Sequence, residues 1–221
     1  MTHETAKRIA IWTGLALALV LMVWGLAKMA VAPTTGDVGS TLSDPVSGSD
    51  HVKGSTMAKV TLVEYSDFQC PACAAFEPAI QALEKKYGNQ VLFVYRHFPL
   101  PQHLNGNLAA RASEAAAMQN KFWEMHDKLF ATQNEWSTLS KGEALNTFAL
   151  YASQLELNRD KFVTDVQSNS VEDRIQKDVT SGSKSGVDST PNFFVNNIKV
   201  IGLQTYADLE TALVNALNQN K

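Results

Sequence analysis

Two short runs of β-branched and apolar residues, KVTLVEYS at 59–66 and VLFVYR at 91–96, limit the fold of this chain more than any other feature. Each is mostly apolar on both faces, as a strand must be when both sides of its sheet are covered. Between them, Phe76, Ile80, Leu83 and Tyr87 recur three or four residues apart within 71–87, with Gly88 as a stop and Pro78 as a point of bending. Strand, helix and strand in that order predict a βαβ unit with parallel strands.

No good strand follows between Pro101 and Gly186, and a structureless loop of that length does not belong in a compact domain. Helices must fill the interval. An Ala-rich stretch at 108–120 is followed by apolar stripes at Phe122, Met125, Leu129 and Phe130, then at Leu145, Phe148, Ala149, Ala152 and Leu155. Phe162, Val163 and Val166 make a shorter stripe, and Val171, Ile175 and Val179 another. The chain closes with short strands at 192–195 and 198–201, turned by Asn196-Asn197, and a helix over about 206–217. At 221 residues and 45% apolar, it can bury one core with a subdomain inserted in it. A net charge of -3 offers no basic field to concentrate nucleic acid.

Residues 9–27, IAIWTGLALALVLMVWGLA, carry no charge. As a helix rising about 1.5 Å per residue they nearly match a hydrocarbon core of about 30 Å. Lys7 and Arg8 precede the run and only Lys28 closely follows, which favours a cytoplasmic N-terminus and an exported body. Residues 1–32 are therefore expected to be a short cytoplasmic tail and a single-pass membrane anchor. A cleaved signal peptide is the competing reading, since Ala30-Val31-Ala32 has a small-x-small form; Pro33 after the cut and the length of the run argue against it. Residues 33–50, rich in Gly, Ser, Thr, Pro and Asp, read as a flexible linker with almost nothing to bury. The folded domain is expected over 51–221.

The chain has two cysteines, Cys70 and Cys73, in the sequence Cys70-Pro71-Ala72-Cys73 between the first strand and its helix. Both exported readings place them in an oxidising compartment, where no further cysteine remains for a structural bridge. Cys70 is expected at the helix N-cap with Pro71 at the first helical position, and Cys73 lies one turn in. The free N–H groups and the positive end of the helix dipole favour a thiolate on Cys70, the attacking species in disulfide exchange. The alternative is half of a zinc site, but His3, His51, His97, His103 and His126 show no paired spacing to complete it. His97 and His126 read as packed or solvated side chains.

Taken jointly, a strand, CPAC at a helix start, a second strand ending in Arg96-His97-Phe98-Pro99-Leu100, a helical insertion, then Ser189-Thr190-Pro191 before a short strand resemble the thioredoxin superfamily, and within it the DsbA-like branch. The resemblance covers about residue 50 to the C-terminus. It implies an α/β thioredoxin fold with an inserted helical subdomain at about 102–170, preceded here by the single N-terminal transmembrane helix. It also implies that Pro191 is cis and faces the redox pair, with Thr190 offering backbone groups to an extended substrate. The alternative for Pro191 is a trans residue opening an edge strand. Glu64 interrupts an apolar strand six residues before Cys70, where the family has a buried acid implicated in proton transfer to the inner cysteine. An ion pair of Glu64 with Lys59 or Arg96 is the other reading.

The resemblance implies a membrane-anchored thiol–disulfide oxidoreductase that introduces disulfides into exported proteins bearing free thiols, without a dissociable cofactor. A membrane-embedded, quinone-linked partner would restore its disulfide. Ala72 stands where DsbA has a histidine that helps stabilise the thiolate, which argues against a very strong oxidant. Pro71 coming first in the dipeptide, opposite to the Gly-Pro order of thioredoxin, favours the DsbA-like form over a reductant. Three other functions use the same residues: a reductase or isomerase, a tethered soft-metal module, and a binding module using the Pro191 groove alone.

Overall fold

The computed structural model describes residues 39–203 and 205–219, together with Trp12 and Met22, both helical. Apart from those two, the run expected to form the membrane anchor lies outside the described residues. Among the described residues no helix is long and apolar enough to cross a membrane.

The two apolar runs are the central strands of a five-stranded sheet. Strand β1 (His51–Gly54) lies antiparallel to β3 (Val91–His97), β3 parallel to β2 (Val60–Ser66), β2 antiparallel to β4 (Asn192–Val195), and β4 antiparallel to β5 (Ile198–Lys199), in the order β1-β3-β2-β4-β5. Helix α1 (Pro71–Tyr87) makes the crossover from β2 to β3 and runs through Pro78. Six helices separate β3 from β4: α2 (Gly106–Ala117), α3 (Phe122–Ala131), α4 (Gln133–Trp136), α5 (Lys141–Gln154), α6 (Arg159–Val166) and α7 (Asn169–Lys184). Helix α8 (Tyr206–Gln219) closes the chain. Asn196 and Asn197 both have positive φ, 47° and 70°, as the turn between β4 and β5 requires.

Alternation along β2 explains why both of its faces are apolar. Val60 and Leu62 pack with Ile80 and Leu83 of α1 and Leu209 and Leu213 of α8, whereas Val63 and Tyr65 pack with Phe98, Val187 and Phe194. The helical insertion has its own apolar cluster around Trp136, Phe148 and Phe162, and Phe68, Cys70, Cys73 and Tyr95 belong to that same cluster. The redox pair therefore sits at the seam between sheet and insertion.

Two features depart from the sequence reading. Strand β1 was not expected, because its residues HVKG are polar enough for an edge strand with a single neighbour. Residues 39–50, expected as part of a flexible linker, lie against the domain instead. Leu42 is buried with Val63, Tyr65 and Phe194, its amide donates to the Asn197 carbonyl at 2.8 Å, and Ser43 N donates to Ser185 Oγ at 2.9 Å. The buried Arg96 guanidinium holds this segment: Nε and Nη2 donate to the two carboxylate oxygens of Asp50 at 2.8 and 3.1 Å, and Nη1 and Nη2 donate to the carbonyls of Asp44 and Pro45 at 2.9 and 3.2 Å. A Ser-, Pro- and Asp-rich stretch buries little apolar surface, yet its carbonyls and one carboxylate are what a buried guanidinium needs.

Removing that guanidinium leaves Asp50 buried without its charge partner. Arg96→Ala is expected to cost about 3–5 kcal/mol in urea unfolding, and a paired replacement of Arg96 and Asp50 by Met and Leu to recover most of the loss.

Candidate active site

Cys70 is the N-cap of α1, extended at φ -71° and ψ 121°, with Pro71 next to it at the first helical position. The Cys70 amide donates to the Asp67 carbonyl at 3.0 Å, and the Cys70 carbonyl accepts the Ala74 amide at 3.1 Å, the first bond of the helix. Both cysteines are free thiols; Cys73, one turn in, is the more deeply buried, 1% exposed against 6% for Cys70.

Across from them the Thr190-Pro191 peptide bond is cis, which brings the Thr190 carbonyl to 3.3 Å from Cys70 Sγ as acceptor of its proton. The Thr190 hydroxyl is buried and has no hydrogen-bond partner among the described residues. Once the sulfur ionises it can no longer donate to the carbonyl. The hydroxyl then becomes the donor on this side of the site.

The two sulfurs titrate in opposite directions. The Cys73 thiol donates to Cys70 and, against the opposing effect of burial, this bond with help from Thr190 and the Cys73 and Ala72 amides holds Cys70 down to about 5. Burial, followed by the bond to Cys70, pushes Cys73 well above the usual thiol range. The helix amides thus contribute as the sequence suggested, but the partner cysteine contributes more.

Glu64 stands opposite Tyr95 on β3 and Phe193 on β4, beneath α1. Burial first and the neighbouring Glu77 second push its carboxyl up to about 8. Arg96, one of the two ion-pair partners considered for it, is committed to Asp50. The Coulombic effect of Glu64 is among the causes that raise Cys73.

Several polar side chains that the sequence reading passed over fix the loop before Cys70. The buried Asp67 carboxylate accepts the amides of Gln69 and Leu100, each at 2.8 Å, and pairs with His103 Nδ1 at 2.6 Å. Gln133 Nε2 donates to the carbonyls of Phe68 and Cys70 at 2.7 and 3.0 Å, while Gln69 Nε2 donates to Ser137 O at 2.8 Å. These bonds fasten the redox turn to helix α4 of the insertion. Glu77 did carry a signal: it lies four residues after Cys73, on the same face of α1. His97 Nε2 is bonded to Glu114 at 2.8 Å and His126 is buried among aromatic rings, as packed residues. Two clusters, His51-His97-Glu114 and Glu77-His126-Asp127, bring potential metal ligands together, and neither includes a cysteine.

The model of the family described as Thioredoxin matches residues 46–215. Among curated proteins, similar sequences are an Na(+)/H(+) antiporter NhaA 3 of Salinispora tropica, 41% identical over 76% of this chain and 24% of that protein, and an Na(+)/H(+) antiporter NhaA of Herminiimonas arsenicoxydans, 36% identical over 82% and 28%. The chain spans about a quarter of the length of these relatives. Among solved structures, oxidised BdbD from Bacillus subtilis superposes with a TM-score of 0.71 at 23% identity, covering 83% of this chain and 100% of that one. A thioredoxin-like oxidoreductase from Silicibacter pomeroyi gives 0.66 at 26%, covering 78% and 94%, and α-DsbA1 of Wolbachia pipientis 0.70 at 21%, covering 80% and 95%.

Two titrations follow from this geometry. Thiolate absorbance of the reduced protein should appear with a midpoint near 5, and Cys73→Ala should move that midpoint upward, because the main donor to the Cys70 sulfur is gone. Glu64 keeps its proton in the folded state up to about 8, against an ordinary value of 4.5. Its burial is therefore harmless below the lower value and erodes stability as pH rises through the window to the higher one. Glu64→Gln should leave the unfolding free energy unchanged near about pH 4 and raise it by on the order of 4 kcal/mol near about pH 8.

Proposed function

The chain belongs to the thioredoxin family, and from that premise we propose that it is a DsbA-like thiol–disulfide oxidoreductase that introduces disulfides into exported proteins from an anchor in the cell membrane. The observation that carries this reading is the asymmetry of the pair. Cys70 is held as a thiolate against Thr190 and cis-Pro191, and Cys73 is kept as a buried thiol. A stabilised thiolate is a good leaving group and favours the reduced form, so the Cys70–Cys73 disulfide is readily given up to a substrate.

In the proposed cycle a substrate thiolate bonds to Cys70 Sγ, and the electron pair of the Cys70–Cys73 bond leaves on Cys73, which takes a proton from Glu64. A second substrate thiolate then attacks the first substrate sulfur and releases Cys70 as a thiolate. A groove beside Pro191, lined by Ser189, Asn192, Val200, Ile201 and Leu203, offers room for an extended substrate, with the cis bond presenting the Thr190 backbone. No dissociable cofactor takes part. The disulfide is restored by a membrane-embedded, quinone-linked partner.

Support for the membrane setting comes from the uncharged run at 9–27 with Lys7 and Arg8 before it, which favours a cytoplasmic N-terminus with residues 51–221 outside. The antiporter names belong to proteins of which this chain spans about a quarter, and they assign no ion transport to it.

Alkylation trapping in cells tests the direction of transfer. An oxidase should be recovered with Cys70 and Cys73 bridged, and the full chain should oxidise a two-cysteine peptide with activity lost entirely in Cys70→Ser. Recovery of the pair as dithiol in growing cells would instead assign a reductase or isomerase.

A further inference from the structure

A cavity of about 20 Å³ lies between helices α1 and α3, lined by Glu64, Glu77, Glu84, Tyr95, Trp123 and His126. One water needs about 10–15 Å³, so the space takes a single small occupant. Two observations bear on what that occupant is. Three carboxyls converge on the space, and Lys53 of β1 pairs with Glu84 at 3.2 Å, leaving Glu77 with His126 as its ion-pair neighbour. The hydroxyl of Tyr95, a residue only 2% exposed, has no hydrogen-bond partner among the described residues.

Glu77 and His126 are held in a particular way. His126 Nδ1 donates to Asp127 Oδ1 at 2.8 Å, which in the neutral imidazole leaves the lone pair on Nε2. The rings of Phe68, Tyr95 and Trp123 stand edge to face around the imidazole and fix its plane. Gln81, one turn along α1, donates to Glu77 Oε1 at 3.0 Å, so Oε2 is the oxygen turned toward the histidine. Nε2 and Oε2 are 3.9 Å apart, too far for a hydrogen bond. Bonds of about 2.0–2.2 Å to one Zn(II) set two ligand atoms roughly 3.4 Å apart at the tetrahedral angle and up to about 4.2 Å as that angle opens. A histidine whose far nitrogen is held by a carboxylate, and a carboxylate held by an amide, are the supporting contacts by which proteins orient metal ligands.

We propose that Glu77 Oε2 and His126 Nε2 bind a divalent first-row transition cation, Zn(II) being the type case, with Glu64 and Tyr95 on the same cavity to complete its shell. One imidazole among oxygen donors suits zinc better than calcium or magnesium. The site is separate from the cysteines and independent of the direction in which they transfer electrons. It joins the redox helix α1 to α3 of the insertion, so a bound ion staples the two together across the seam. The other cluster of this kind, His51-His97-Glu114, is already answered from within: both Nε2 atoms bond to Glu114 Oε1, at 2.7 and 2.8 Å, and Arg174 Nε lies 3.9 Å from the same oxygen.

Calorimetric titration of the full chain with Zn(II) tests the site, with the Cys70–Cys73 disulfide closed so that neither sulfur is a ligand. One equivalent should bind, an excess of Mg(II) should not displace it, and the melting midpoint should rise by roughly 5–10 °C with zinc at about a hundred times Kd. The surface variant Asp127→Asn should weaken binding about 10–100-fold, and Glu77→Gln and His126→Ala should weaken it more. A Cys70→Ser, Cys73→Ser double variant should bind as the wild type does. Unaltered affinity in Glu77→Gln and Asp127→Asn, loss of binding in His51→Ala or in the double serine variant, or no binding at all would overturn the proposal. Should His126→Ala not fold, Glu77→Gln and Asp127→Asn decide the matter by the same affinities.

Discussion

The proximity of the Cys73 thiol to the Cys70 sulfur across the first turn of α1, the largest cause of the lowered Cys70 pKa, sets the charge on which the rest of the site depends. It acts this way only if one sulfur keeps its proton while the other loses it. The fold enforces that difference by depth: Cys73 is buried in the cluster shared with the insertion, and Cys70 stands at the N-cap facing the amides of Ala72 and Cys73 and the Thr190 hydroxyl. Burial acts against charge at both sulfurs, but only Cys70 has enough donors to overcome it.

Such an arrangement tolerates little movement, and the structure spends many polar side chains on preventing it. Asp67 binds two amides and His103, Gln133 binds two carbonyls of the redox turn, and Gln69 reaches Ser137 at the end of α4. All but the His103 pair tie a backbone group of the turn or its surroundings to a side chain. The consequence is that the insertion is part of the active site's frame, not an appendage to the sheet. On the other face, Arg96 draws residues 44–50 onto the body through Asp50 and two carbonyls, and Val46 packs against the cluster that contains Val63, Tyr65 and Val94.

Much of this was legible in the chain itself. The doubly apolar strands, the helix between them, the strandless interval and the Asn196-Asn197 turn all follow from local pattern, and local pattern is what each element needs to form. The cysteine pair and the Thr190-Pro191 step were legible because their residue types are rare and their roles are tied to sequence neighbours. What stayed hidden depends on partners far apart in the chain. Nothing local in HVKG marks an edge strand, and nothing in SDPVSGSD announces that a guanidinium 46 residues away will bind Asp50. Likewise Gln133 and Asp67 look like ordinary surface residues until the fold brings backbone groups to them. Glu77 was half visible, because it repeats Cys73 on the helix face, but only the register of Glu64 opposite Tyr95 shows that the two acids share a cavity.

In the proposed function, the native fold stabilises the Cys70 thiolate and so makes the disulfide oxidising. Equilibrium of the full chain with glutathione buffers measures that stabilisation most directly. The predicted reduction potential lies above the roughly -270 mV of thioredoxin, by at least about 30 mV for each tenfold preference for the reduced form. A potential at or below that of thioredoxin would contradict it.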